Sequence, residues 1–134
     1  MSSQPFYKNK DLGLLILRVG IGASFVFFHG IDKIFGGPAK WEAIGGAMGV
    51  FGIHFWPEFW GFLCALAEFG GGILLVLGYQ TRLVSLIMAF NMFVASSLLL
   101  TRGGTASPSY PIEIGIVFLA FIFLGAGKYS LDRE

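Results

Sequence analysis

The chain has 134 residues, 55% of them hydrophobic and only 13% charged, with a formal net charge of +1. A soluble domain carries about 25% charged residues; this composition, with a mean hydropathy of +0.75, points to lipid as the solvent. No basic surplus or cluster exists to hold nucleic acid. The lone cysteine, Cys64, excludes an intramolecular disulfide, and Cys64, His29 and His54 show no metal or haem spacing.

In chain order, the polar start "MSSQPFYKNKD" leads into "LGLLILRVGIGASFVFFHG" at residues 12–30. The start imitates a signal peptide. However, no A-x-A pattern follows, and Arg18 interrupts the would-be signal core. The stretch is expected to stay as a first membrane span, roughly 12–35. Three more apolar runs predict spans over roughly 59–79, 83–101 and 111–127. A crossing helix needs about 20 residues. The last run reaches that length only with Tyr110, Pro111 and residues 128–131 in the interface. The expected fold is an all-α membrane protein, a single domain over 1–134 built as a bundle of four transmembrane helices.

Between the first two spans, Trp41, Ile44, Met48, Phe51 and Phe55 recur at helical spacing. That fits a short helix lying in the membrane surface, with Trp56 and Trp60 in the aromatic belt. It fits a loop packed on the bundle mouth equally well. The next connection, "GYQTR", is tight: Gly78 suits a helix end and Thr81 a helix start. "TRGGTASPSYP" is longer, and Pro111 suits a first helical turn. With four spans, Lys8, Lys10, Arg82, Lys128 and Arg133 share one side, against Lys33, Lys40 and Arg102. That bias predicts both termini in the cytoplasm.

The intramembrane polar residues are the candidate site: Arg18, Glu68, His29, Asn91 and Glu113. By the period of an α-helix, Arg18, His29, Asp32 and Lys33 share one face, but Arg18 and His29 stand about 16 Å apart. Arg18 therefore lies inside the bundle and His29 near its mouth. Intramembrane charges usually pair, and depth favours Arg18 with Glu68. That pair is read either as a register-fixing ion pair or as the wall of a polar cavity for an anionic or redox-active group. Cys64 and Gly72 are the neighbours of Glu68 at four-residue steps. Near the far end, Lys128, Tyr129, Ser130 and Asp132 form, with Lys33, the expected interfacial set: a cation and an aromatic for headgroups, and two caps for exposed amides.

Three segments in order, "LLILRVGIGASFVFFHGIDKIFG", "LAEFGGGILLVLGYQTRLVSLIMAF" and "GAGKYSLDRE", resemble the DoxX family. The resemblance implies a small four-helix protein of the bacterial cytoplasmic membrane with a redox-associated role, linked to quinones or to thiol and sulfur chemistry. It names no catalytic residue and no cofactor, though a quinone fits. Partners would be the bilayer and other membrane subunits or further copies of the chain. The alternatives are a non-enzymatic scaffold subunit of a larger complex and a small-solute transporter.

Overall fold

The computed structural model describes residues 4–102 and 107–133, so part of the connection before Ser109 lies outside the described residues. Among the described residues every regular element is helical. Helix α1, Lys10–Ile34, is 25 residues long. Asn9 starts it by accepting a hydrogen bond from the Leu12 amide at 3.0 Å, and Asp11 adds negative charge to the first turn. Its stretch Phe25–Gly30 winds as a π-helix.

Helix α2, Pro38–Gly45, begins on a proline after Gly37 at φ +86°. A 3-10 turn, Gly46–Phe51, continues it and stops at Gly52, φ +78°. The stretch between the first two spans is therefore helical over most of its length, with one face seated on α3, Pro57–Leu77. Helix α4 is Thr81–Arg102 and α5 is Ser109–Leu124. Three helices, α1, α3 and α4, are long and apolar enough to cross a membrane. Helix α5 is apolar but has only 16 residues. It stops at Gly125, φ +74°, where the predicted fourth span ran on to 127.

Backbone proximity organises the packing. A Cβ on Gly22 would lie 2.6 Å from the Gly72 carbonyl oxygen, and one on Gly72 would lie 2.8 Å from that of Gly22. Helices α1 and α3 thus cross on two glycines, as small residues permit where lipid gives no hydrophobic drive between helices. Helix α2 sits still closer: a Cβ on Gly61 would fall 1.6 Å from the Trp41 carbonyl oxygen. The buried core is Phe25, Leu75, Val84, Met88, Ala89, Met92, Phe118 and Phe121. Outside it, Ile16, Phe27, Leu86, Phe93 and Phe123 are exposed. Apolar surface this extensive is what a lipid-solvated bundle presents.

Gly61→Ala forces the α2–α3 contact apart, and overpacking of this kind costs about 1–3 kcal/mol. A Cβ on Gly20 meets nothing within 4 Å, and alanine is the better helix former there. The expected result in detergent is a lower melting temperature for Gly61→Ala and an unchanged or higher one for Gly20→Ala. Equal melting temperatures would refute the close contact.

Candidate functional site

The polar residues form two separate clusters, one at each side of the Gly22–Gly72 crossing. The first is built on Arg18, which is 0% exposed. Its Nε donates to the Ala126 carbonyl at 2.9 Å and its Nη2 to that of Tyr129 at 2.6 Å. Its Nη1 donates to the carbonyls of Leu75 at 3.0 Å and Val76 at 3.2 Å. The guanidinium therefore binds the negative end of α3 and the tail that follows α5. A Cβ on Gly78 would come 2.5 Å from Arg18 Nη1, so only glycine leaves room for it.

The tail is held in its turn. The Leu131 amide donates to the Leu77 carbonyl and the Asp132 amide to that of Gly78. The Asp132 carboxylate accepts from the Gln80 amide at 2.8 Å and the Thr81 amide at 2.9 Å, capping α4. Thr81 is the first residue of α4, but the cap comes from Asp132, 51 residues away. Ser130 Oγ donates to the Gly127 carbonyl at 2.6 Å and accepts from the Arg133 amide at 3.2 Å. The Lys128 amide donates to Asp11, and its Nζ lies 5.2 Å from the Tyr129 ring centre. Burial works to raise the Asp132 carboxyl. The Thr81 and Gln80 amides, then Arg18, outweigh it and hold this group below the usual carboxylate range.

The second cluster centres on Glu68, 3% exposed in the middle of α3. Lys33 Nζ donates to its Oε2 at 2.7 Å, and Asn91 Nδ2 donates to its Oε1 at 3.0 Å. Helices α1, α3 and α4 each contribute one member. This corrects the expected pairing of Arg18 with Glu68. Arg18 bonds at the level of Val76, eight residues along α3 from Glu68, or about 12 Å. The physical reason is direction. Helical side chains lean toward their own N-terminus. Arg18 leans toward the α3 end, whereas Lys33 and Glu68, on antiparallel helices, lean toward each other.

The shared face predicted for α1 is broken as well. A π turn takes up an extra residue and sets back later positions by roughly 100°. Lys33 turns onto α3, while Asp32 is exposed and pairs with Lys40. His29, inside the π segment, meets Tyr110 of α5, with Nε2 and Oη 3.0 Å apart and the rings stacked. Glu113 is exposed and joins neither cluster. Lys33 was legible as an interfacial lysine on the Arg18 face, not as the partner of Glu68. Its long stem, able to reach back into the bilayer, was the signal for its role.

A cavity of about 940 Å³ opens beside the second cluster. Lys33, Glu68, Asn91 and Cys64 line it, with otherwise apolar walls from α2, α3 and α4. Apolar walls with a few convergent polar groups are the usual make-up of a small-molecule site. Among the described residues, no three His, Cys, Asp or Glu side chains come together to hold a metal ion.

A family model described as DoxX matches residues 13–101. A protein of Bacillus subtilis (strain 168) named "Putative oxidoreductase CatD" is 32% identical over 88 residues, 66% of this chain and 60% of that protein. The chain thus spans less than two thirds of that relative's length. An uncharacterized protein of Haemophilus influenzae is 29% identical over 135 residues, covering 95% of this chain and 93% of that one. No solved structure matches the chain.

Two measurements test the clusters. Arg18→Met and Glu68→Gln touch no shared partner, so their losses of stability should add to within about 0.5 kcal/mol. Lys33→Met and Glu68→Gln share one contact and should not add. The reverse pattern in a double-mutant cycle would restore the Arg18–Glu68 pair. For Asp132, the folded carboxyl is the stronger acid. Its contribution to stability is complete above the ordinary carboxylate range and fades as pH falls through the depressed folded value. The melting temperature should drop over that acid window, and Asp132→Asn should lower it at neutral pH and flatten the drop. Parallel acid profiles would exclude the cap.

Proposed function

The chain belongs to the DoxX family, and from that premise we propose that it is a redox-associated protein of the bacterial cytoplasmic membrane whose cavity takes a quinone. Helix α5 serves as the fourth crossing, completed by the residues of the tail, and both termini face the cytoplasm. The single observation behind the reading is Glu68, buried at mid-span, tied to Lys33 and Asn91 beside a cavity of about 940 Å³. An uncompensated carboxylate there would be costly, and intramembrane ionisable groups mark functional sites.

The residues suit the ligand. Lys33 Nζ and Asn91 Nδ2 are hydrogen-bond donors at one wall, able to turn from Glu68 to a carbonyl oxygen of the ring. Glu68 is placed to take or give a proton at Oε1 or Oε2 once those donors shift. A quinone held there would supply two-electron, two-proton carrier chemistry. The electrons come from a redox group on a partner membrane subunit, the association expected of a small span-forming chain. Arg18 has no part in the step, since its donors are engaged with backbone carbonyls.

The test is titration of the protein in lipid nanodiscs with a quinone that carries no chain, read by quenching of tryptophan emission. Trp60 stands in the cavity wall. Saturable binding is expected, weakened in Lys33→Met. A hydrogen bond to a charged group is worth about 1.5–3 kcal/mol, so the loss should be about tenfold or more. Absence of saturable quenching in the unaltered protein would reject the reading.

A further inference from the structure

The cavity is a groove rather than a closed chamber, and its lips face outward. Leu66, Ile87 and Phe90 all line it, yet they are 46%, 47% and 58% exposed. They stand on α3 and α4 at the depth of the Glu68–Asn91 contact, where the surroundings are hydrocarbon. The lining on α3 runs from Trp60 to Leu74 and on α4 from Val84 to Leu98. Fourteen residues of helix are about 21 Å, most of a hydrocarbon core about 30 Å thick. The mouth end is roofed by α2 and the turn after it, through Ile44 and Met48. The roof is clamped down by the Gly61–Trp41 contact described above.

From these facts we infer that the ligand is membrane-borne: its head enters sideways between α3 and α4, and its long isoprenoid chain lies in the groove between them. The inference rests on the quinone reading and narrows it to long-chain, lipid-dissolved quinones. Three features carry it. The head group must meet a charge-neutral Lys33–Glu68 pair at mid-depth, which suits an uncharged ring and not a phosphate. The walls beyond that pair are apolar in both directions along the helices. The open side faces lipid, whereas the watery mouth is closed by α2. An acyl chain of a phospholipid shares the chain chemistry and is the competing source, but its charged head has no partner at that depth.

Gly70 makes the inference testable. It lines the groove, and a Cβ there meets only the Leu66 Cδ1 atom, at 3.9 Å. A larger side chain at Gly70 therefore starts with no backbone outside its own helix within 4 Å of its Cβ, and replacing a mid-helix glycine does not weaken α3. Quinones with the same head and increasing isoprenoid length are titrated in nanodiscs, with affinity expressed per mole fraction in the bilayer so that partitioning cancels. The unaltered protein should bind a chain of several units at least tenfold more tightly than the chainless head. Gly70→Phe should abolish that advantage. Lys33→Met should weaken every member of the series. Melting curves establish that Gly70→Phe is folded; if it is not, Gly70→Leu is read in the same way.

Equal affinity across the series, or a chain advantage that survives in the folded groove variant, would overturn the inference while leaving the quinone reading in place. Loss of all binding to the unaltered protein would remove both. A phospholipid found by mass spectrometry on gently extracted protein, displaced by Gly70→Phe but not by long-chain quinone, would assign the groove to acyl chains and overturn the isoprenoid assignment.

Discussion

The fold depends on one buried guanidinium. Arg18 cannot lose its charge, and an isolated charge out of water costs several kcal/mol. The cost is offset because its surroundings have the complementary need. The last carbonyls of a helix lack intrahelical partners. Those of α3 are all satisfied: Leu74 by the Tyr79 amide, Leu75 by the Gly78 amide, Leu77 by the Leu131 amide, and Val76 by Arg18. The first two bonds form the Schellman pattern around Gly78, whose φ of +70° only glycine adopts without strain. In the irregular tail, the carbonyls of Ala126 and Tyr129 also accept from Arg18. Backbone polarity and side-chain charge cancel each other, and in doing so tie together α1, α3 and the end of the chain.

That anchoring has a consequence at the other side of the crossing. With α1 and α3 fixed in register by Arg18 and by the Gly22–Gly72 contact, Lys33 and Glu68 meet with little freedom to slide. The π segment completes the alignment. Without its extra residue, Asp32 would turn toward the Glu68 side and Lys33 away. A carboxylate facing Glu68 at mid-depth would be repulsive, whereas the lysine makes the pair neutral. A π stretch inside a spanning helix is thus a rotation of charge, and it also carries His29 to Tyr110.

Much of this was legible in the sequence. Four apolar runs, Gly78 as a helix end and the inward turn of Arg18 all followed from hydropathy, backbone freedom and charge cost. The membrane character and the DoxX resemblance followed from the same residues. The pairing of Arg18 was not legible, because depth was counted along the Cα positions and side-chain lean displaces two charges in opposite senses on antiparallel helices. The cap on α4 was not legible either: Asp132 is 51 residues from the amide it serves, and local motifs register only near neighbours. The π segment has no period that a 100° wheel can reveal, so Lys33 was placed among interfacial groups. The 16-residue length of α5 was visible as a short apolar run.

The two clusters differ in what their hydrogen bonds permit, and this separates structure from chemistry within one small bundle. Arg18 is held by carbonyls that are themselves fixed by helix geometry and by the docked tail, so moving it would unpair several backbone groups at once. Its role is therefore static. Lys33 and Asn91 each hold Glu68 by a single side-chain bond, and both side chains can turn without breaking any helix. Lys33 is also partly exposed, so its ammonium can be rehydrated or can meet a ligand oxygen at modest cost. A buried carboxylate whose neutralising partner can leave is the arrangement that allows a proton to move inside a membrane. One whose partner is pinned allows only stability. The groove beside Glu68 joins the adjustable cluster and not the pinned one, and for that reason the proposed quinone site is placed on the Lys33 side of the crossing.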